Sequence, residues 1–167
     1  MARQRAIIVG AGVGGLTAAL TLARQGLEVI VFERDPLPEI ADVEAAFDAE
    51  RRGAPQVHQT HGFLARIVVE LRERLPDVLE DMLAAGCVTM PTTTSLGDPQ
   101  PGDDDLRVLV VRRTTFEWVL RRAVAAEPGI TTRTGVGIAR LHGRPADDGG
   151  PARKCDPRHG ACCCRGR

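Results

Sequence analysis

The stretch Gly10-Ala11-Gly12-Val13-Gly14-Gly15 constrains this chain more than any other. Glycine loses more backbone freedom on ordering than other residues, so a cluster of it belongs where backbone must bend sharply or something must come close. Before it lies a short apolar run, Ala6 to Val9, which suits a buried strand. After it the apolar positions fall at helical spacing: Leu16, Ala19, Leu20 and Ala23. Gly26 supplies the helix stop, and Leu27 to Phe32 reads as a second buried strand. Strand, helix and strand in fewer than thirty residues form a βαβ unit with parallel pairing. Such units cross over right-handed.

Gly10, Gly12 and Gly15 fit the spacing G-x-G-x-x-G. Gly10 permits the tight turn off the strand, Gly12 lets a pyrophosphate approach the backbone, and Gly15 lets helix and strand pack closely. Gly14 adds room beside them. The helix start then offers unpaired amides and a positive dipole end to phosphate. Glu33 closes the second apolar run, where a carboxylate accepts ribose hydroxyls. Its charge opposes a 2′-phosphate, which disfavours NADP at this site. The context of the motif, strand before and helix after, favours dinucleotide binding over a ligand-free packing turn. The βαβ unit alone leaves FAD and NAD both open.

Further along, Ala41 to Arg52 reads as a short helix. Leu64, Ile67, Val68, Leu71 and Leu75 form an apolar helical stripe interrupted by Pro76, and Asp77 to Ala85 a further helix ending at Gly86. Cys87 to Met90 and Leu106 to Val111 read as strands flanking a solvated Thr-, Pro-, Gly- and Asp-rich loop. Thr114 with Glu117 fits a capping box opening a helix whose buried face is Phe116, Val119, Leu120, Ala123 and Val124. Pro128 and Gly129 stop it, and Ile130 to Thr134 is a third parallel strand. Val136 to Leu141 alternates weakly, as an antiparallel ribbon would.

Composition narrows the function. The 22 basic and 22 acidic residues cancel, which argues against a strong pull toward nucleic acid or an anionic membrane. With four Phe, one Trp and no Tyr, base-stacking platforms are not expected. No apolar run reaches the length of a membrane span, and the N-terminus reads as a strand, so the expected location is the cytoplasm.

The opening, Gly10-x-Gly12-x-x-Gly15, then seventeen residues, then Glu33-Arg34, resembles the FAD-binding end of flavoprotein monooxygenases of the para-hydroxybenzoate hydroxylase type. "RRGAPQVHQTHGFL" (51–64) and "RRTTFEWVLRRAV" (112–124) are similar to later segments of such enzymes. The resemblance implies an α/β fold: a Rossmann-type FAD-binding βαβ with an incomplete parallel sheet, plus part of a substrate-domain sheet. It implies that Gly10, Gly12, Gly14 and Gly15 surround the FAD pyrophosphate and that Glu33 holds the adenosine ribose. Arg34 would flank the adenine, Arg52 would lie near the phosphates, and Arg113 would reach the flavin cofactor from a helix start. Arg113 is also a cation where the helix dipole disfavours one, which suits an anion contact; the alternative is a solvated surface arginine. The implied partners are NAD(P)H, dioxygen and a small organic substrate. His58 and His61 receive no role, and no catalytic residue is assigned.

The resemblance ends near residue 142, giving a domain over 1–142 and a tail over 143–167. The tail lacks apolar periodicity and is expected to be disordered. "PARKCDPRHGACCCRGR" departs from the family, as a truncated or frame-shifted product would. Its Cys155, His159 and Cys162 to Cys164 lack paired knuckle spacing, so no metal site is expected. A sheet without its later strands leaves one side of the first strand unpartnered. Two rival readings stand beside the monooxygenase: an inactive fragment with residual or no nucleotide binding, and an NAD-dependent dehydrogenase.

Overall fold

A computed structural model describes residues 4–50, 58, 60–93, 97–98 and 100–140. The chain divides into two units, 1–136 and 137–167. The described residues of the second unit, 137–140, carry neither helix nor strand. The expected tail over 143–167 and its cysteines lie outside the described residues.

In the first unit, β1 (Arg5–Val9), α1 (Val13–Arg24) and β2 (Glu28–Phe32) form the βαβ unit. β1 and β2 are parallel in register from Arg5 with Glu28 to Val9 with Phe32. After α2 (Val43–Asp48) come β3 (Thr60–Phe63), α3 (Ala65–Arg74), α4 (Pro76–Ala84), β4 (Val88–Pro91) and β5 (Arg107–Arg112). The long helix α5 (Arg113–Ala126) then leads to β6 (Ile130–Arg133). Two three-stranded sheets result: a parallel one in the order β1-β2-β6 and an antiparallel one in the order β3-β5-β4. The first is the Rossmann-type portion and the second matches the expected part of a substrate-domain sheet. Among the described residues β1 is an edge strand.

The core explains the arrangement. Leu16, Ala19, Leu20 and Ala23, the four positions at helical spacing, are the buried face of α1. They meet Val29 and Val31 of β2, both fully buried. From α5, Phe116, Val119, Leu120 and Val124 close the same core. Each large aliphatic or aromatic side chain so buried contributes about 1.5–3 kcal/mol. On β1 the alternate residues Ile7 and Val9 are exposed, at 58% and 57%.

Gly15 seats α1 on β1. A Cβ there would lie 1.9 Å from the Gly10 carbonyl oxygen. Gly26 and Gly86 have φ of 91° and 89° and end α1 and α4, in the left-handed conformation open to glycine at little cost.

The structure can be set against the sequence reading at several points. Leu64, counted in the apolar stripe, is 78% exposed at the start of α3, and Val68, Leu71 and Leu75 carry the burial. As expected, Pro76 divides the stripe into two helices: it opens α4 as its first residue, where its missing N–H costs nothing. No capping box forms at Thr114: α5 begins at Arg113, so Thr114 lies inside the first turn and the helix has no side-chain cap. Residues 136–140 form no ribbon.

Two predictions follow from this packing. Gly15→Ala places a methyl group against backbone that cannot move without unseating α1, so urea denaturation will show a loss of at least roughly 1–3 kcal/mol. The second concerns Arg24, which joins three helices by pairing with Asp77 at 2.6 Å and Glu127 at 3.2 Å. The Arg24 hydrogen bond holds the Asp77 carboxyl below the usual carboxylate range. A depressed carboxyl stabilises above its unfolded pKa, and that contribution fades as pH falls through the folded value. Asp77 is more than half exposed, so after screening Arg24→Ala will cost about 1 kcal/mol or less near neutrality. That difference will shrink as pH falls below the ordinary carboxylate range, measured by urea denaturation at each pH.

Candidate dinucleotide site

The glycine turn leaves β1 through Gly10, whose φ is 100° and whose N–H donates to the Phe32 carbonyl at 2.7 Å. Gly12 is the N-cap of α1, and the first bond of the helix runs from the Leu16 amide to the Gly12 carbonyl. The amides before Leu16 have no partner within the helix. No side chain caps them, and the first turn holds no acidic residue. A Cβ at Gly12 or Gly14 would meet nothing within 4 Å. The fold therefore requires glycine at 10 and 15, while at 12 and 14 glycine leaves space that the described residues do not fill.

Glu33 completes the junction. It is 7% exposed, and both carboxylate oxygens are engaged by backbone. Oε2 accepts from the Ala11 amide at 2.7 Å and Oε1 from the Asp35 amide at 2.9 Å. Its own backbone is fixed on both sides, with the Glu33 amide donating to the Arg133 carbonyl and the Val136 amide to the Glu33 carbonyl, both at 2.9 Å. Two oxygens offer about four lone-pair sites, so acceptor capacity remains for ribose hydroxyls. Glu33 is thus a buried clasp between the turn and the end of β2 and not a solvated strand-end charge.

The other expected site residues are distributed differently. Arg34 is 70% exposed and reaches Asp35 only at 3.8 Å, leaving its fork available to a ligand. Arg52 lies outside the described residues. Arg113 opens α5; its side chain is 23% exposed, and its Nε donates to Glu117 at 3.2 Å, so it is no solvated surface arginine. The structure therefore unites Gly10, Gly12, Gly14, Gly15 and Glu33 at one turn, with Arg34 next to them. Arg113 stands on the helix that packs against α1.

His58 is exposed and edge-on to Phe47, while His61 is partly buried and stacked on Phe63. Cys87 is buried, and burial pushes its thiol up to about 11, so it stays protonated at neutral pH. No metal-binding cluster occurs among the described residues. No described helix is long and apolar enough to cross a membrane.

A cleft of ≈ 550 Å³ adjoins the turn, between Ala11, Leu16, Leu37, Trp118, Arg121 and Thr132. Trp118 fixes the covering loop by donating to the Ile40 carbonyl at 3.1 Å. The sequence reading missed this wall. Its signal was present: Trp118, Arg121 and Arg122 at i, i+3 and i+4 share a helix face.

A turn with uncapped helix amides, open glycine positions and a buried carboxylate with spare acceptor sites fits a dinucleotide. The family model for FAD dependent oxidoreductases matches residues 5–142. This chain belongs to that family, whose cofactor is FAD, and the NAD-dependent dehydrogenase reading is set aside.

Protein Rv3254 of Mycobacterium tuberculosis is 33% identical over 132 residues, covering 73% of this chain and 26% of its own. The chloroplastic zeaxanthin epoxidase of Solanum lycopersicum is 30% identical over 139 residues, covering 75% and 19%. This chain thus spans about a quarter or less of the length of these curated relatives. Among solved structures, the tetrameric form of 2-methyl-3-hydroxypyridine-5-carboxylic acid oxygenase superposes with a TM-score of 0.53 at 17% identity, covering 81% of this chain and 32% of that one. A Pseudomonas aeruginosa PqsL variant gives 0.56 at 12%, covering 80% and 33%. These structures share the fold.

The junction yields a stability prediction. Glu33→Ala strands the Ala11 amide and will cost roughly 1–3 kcal/mol. Gly12→Ala, whose Cβ meets open space at an ordinary φ of −81°, will leave stability within about 0.5 kcal/mol of wild type. Thermal unfolding of both variants checks the contrast.

Proposed function

We propose that this chain is the FAD-binding portion, over residues 1–142, of a flavin-dependent monooxygenase acting with NAD(P)H and dioxygen on a small organic substrate. The observation that carries the reading is the junction of the buried Glu33 carboxylate with the Ala11 amide beside the uncapped start of α1. Family membership supports FAD, and the epoxidase among the relatives supports oxygen insertion.

FAD, when bound, would supply the redox chemistry between reduced nicotinamide and dioxygen. The chain's own residues bind and orient. The first amides of α1 donate to the pyrophosphate, across the open space at Gly12 and Gly14. Gly10 and Gly15 hold the turn in place. Glu33 accepts from the ribose hydroxyls, and the exposed Arg34 flanks the adenine. Arg113 approaches from the start of α5. No side chain here is assigned a proton-transfer role, because the cofactor carries the reactive centre.

Titration of the chain with FAD, followed by visible absorption and flavin fluorescence, tests this. The expected result is a perturbed, protein-bound flavin spectrum, with affinity lowered at least roughly tenfold in Gly12→Val. Folded protein that leaves all added FAD in the filtrate would refute the reading.

A further inference from the structure

We infer that Glu117 is a positioning residue for the cofactor's phosphates, acting through Arg113; the inference rests on the FAD reading above. Glu117 is 2% exposed, the most deeply buried carboxylate among the described residues. It lies one turn after Arg113 and one turn before Arg121 on the same face of α5. Oε1 accepts from Arg113 Nε at 3.2 Å, and Oε2 accepts from Arg121 at 3.4 Å. Burying such a charge is expensive, and apolar side chains of similar volume commonly fill the same space with equal or greater stability. What the carboxylate adds here is a fixed guanidinium.

The place of that guanidinium matters. Arg113 is the first residue of α5, where the positive end of the helix opposes a cation. An anion at the same spot resolves the conflict. Glu117 engages Nε and leaves the two terminal nitrogens of the fork outside that bond. A planar fork held by its Nε is pre-organised to give two parallel N–H bonds to a phosphate.

A second observation points the same way. Thr114, the next residue, is 4% exposed, and its buried hydroxyl has no hydrogen-bond partner among the described residues. A buried hydroxyl without a partner is costly, and a ligand oxygen would satisfy it. No side chain caps this helix. The first turn of α5 therefore carries a clamped guanidinium, an unpartnered buried hydroxyl and amides that no side chain caps, the groups an anionic ligand would satisfy.

A double-mutant cycle on the 167-residue chain tests this. FAD affinity is measured by flavin fluorescence for wild type, Glu117→Gln, Arg113→Ala and the double variant. Adenosine, which carries no phosphate, is titrated in parallel by NMR. Each single change is expected to weaken FAD roughly tenfold. The double variant is expected to bind no more weakly than Arg113→Ala, because Glu117 acts through that arginine. Adenosine affinity stays at the wild-type value throughout.

Wild-type FAD affinity in folded Glu117→Gln, multiplicative losses, or an equal loss of adenosine would overturn the proposal. If Glu117→Gln does not fold, Glu117→Asp, which keeps the charge and shortens its reach, enters the same cycle with the same expectations. If the wild-type chain binds no FAD, the cofactor reading fails, and inorganic pyrophosphate decides the inference separately. Thermal protection by pyrophosphate that disappears in Arg113→Ala and Glu117→Gln supports it, and no protection of wild type overturns it.

Discussion

Helix α1 rests on β1 through a contact that only a missing side chain allows, with the Gly10 carbonyl oxygen occupying the space where Gly15 would carry its Cβ. That approach sets the height of the helix above the sheet. It brings Leu16, Ala19, Leu20 and Ala23 down onto Val29 and Val31, and it aims the uncapped end of α1 at the mouth of the turn. If the helix sat a few tenths of an ångström higher, the hydrophobic contacts would loosen and the Ala11 amide would move off the Glu33 carboxylate. Packing and binding geometry thus depend on the same pair of backbone atoms.

Two buried carboxylates solve the cost of desolvation in different ways. Glu33 is held by neutral backbone amides at the end of the parallel sheet, a local solution assembled from residues 11 and 35. Glu117 is held by guanidinium groups one turn away on either side, along a single helix. The first arrangement keeps a negative acceptor beside the glycine turn, suited to hydroxyl groups. The second keeps a positive fork at the start of α5, suited to phosphate. On the proposed FAD reading, ribose and phosphate, two polar parts of a dinucleotide, would meet opposite electrostatics.

The βαβ unit was readable because its signals are local: four consecutive-turn apolar positions, a glycine spacing and an acid at a fixed distance. The same held for the third parallel strand and for the buried face of α5. The antiparallel sheet was less readable. Its strands β4 and β5 were recognised as strands, but β3, short and containing a glycine, carries no alternation to announce it. Leu64 was drawn into a helix by periodicity alone, although the residue at a helix start can point to solvent. The capping-box pattern at Thr114 and Glu117 failed because both residues are buried by tertiary neighbours, and Glu117 gains more from Arg113 and Arg121 than from a backbone amide.

By itself, the sequence determined the parallel unit, the glycine turn and the carboxylate at the end of β2, since each depends on residues within one helix length of the next. Only the tertiary structure decided which glycines the fold needs and which leave room for a ligand. It alone revealed the cleft walled by Trp118 and Arg121 and the burial of Glu117. Those features arise where segments far apart in the chain exclude water together, and no local pattern records which side chains they enclose.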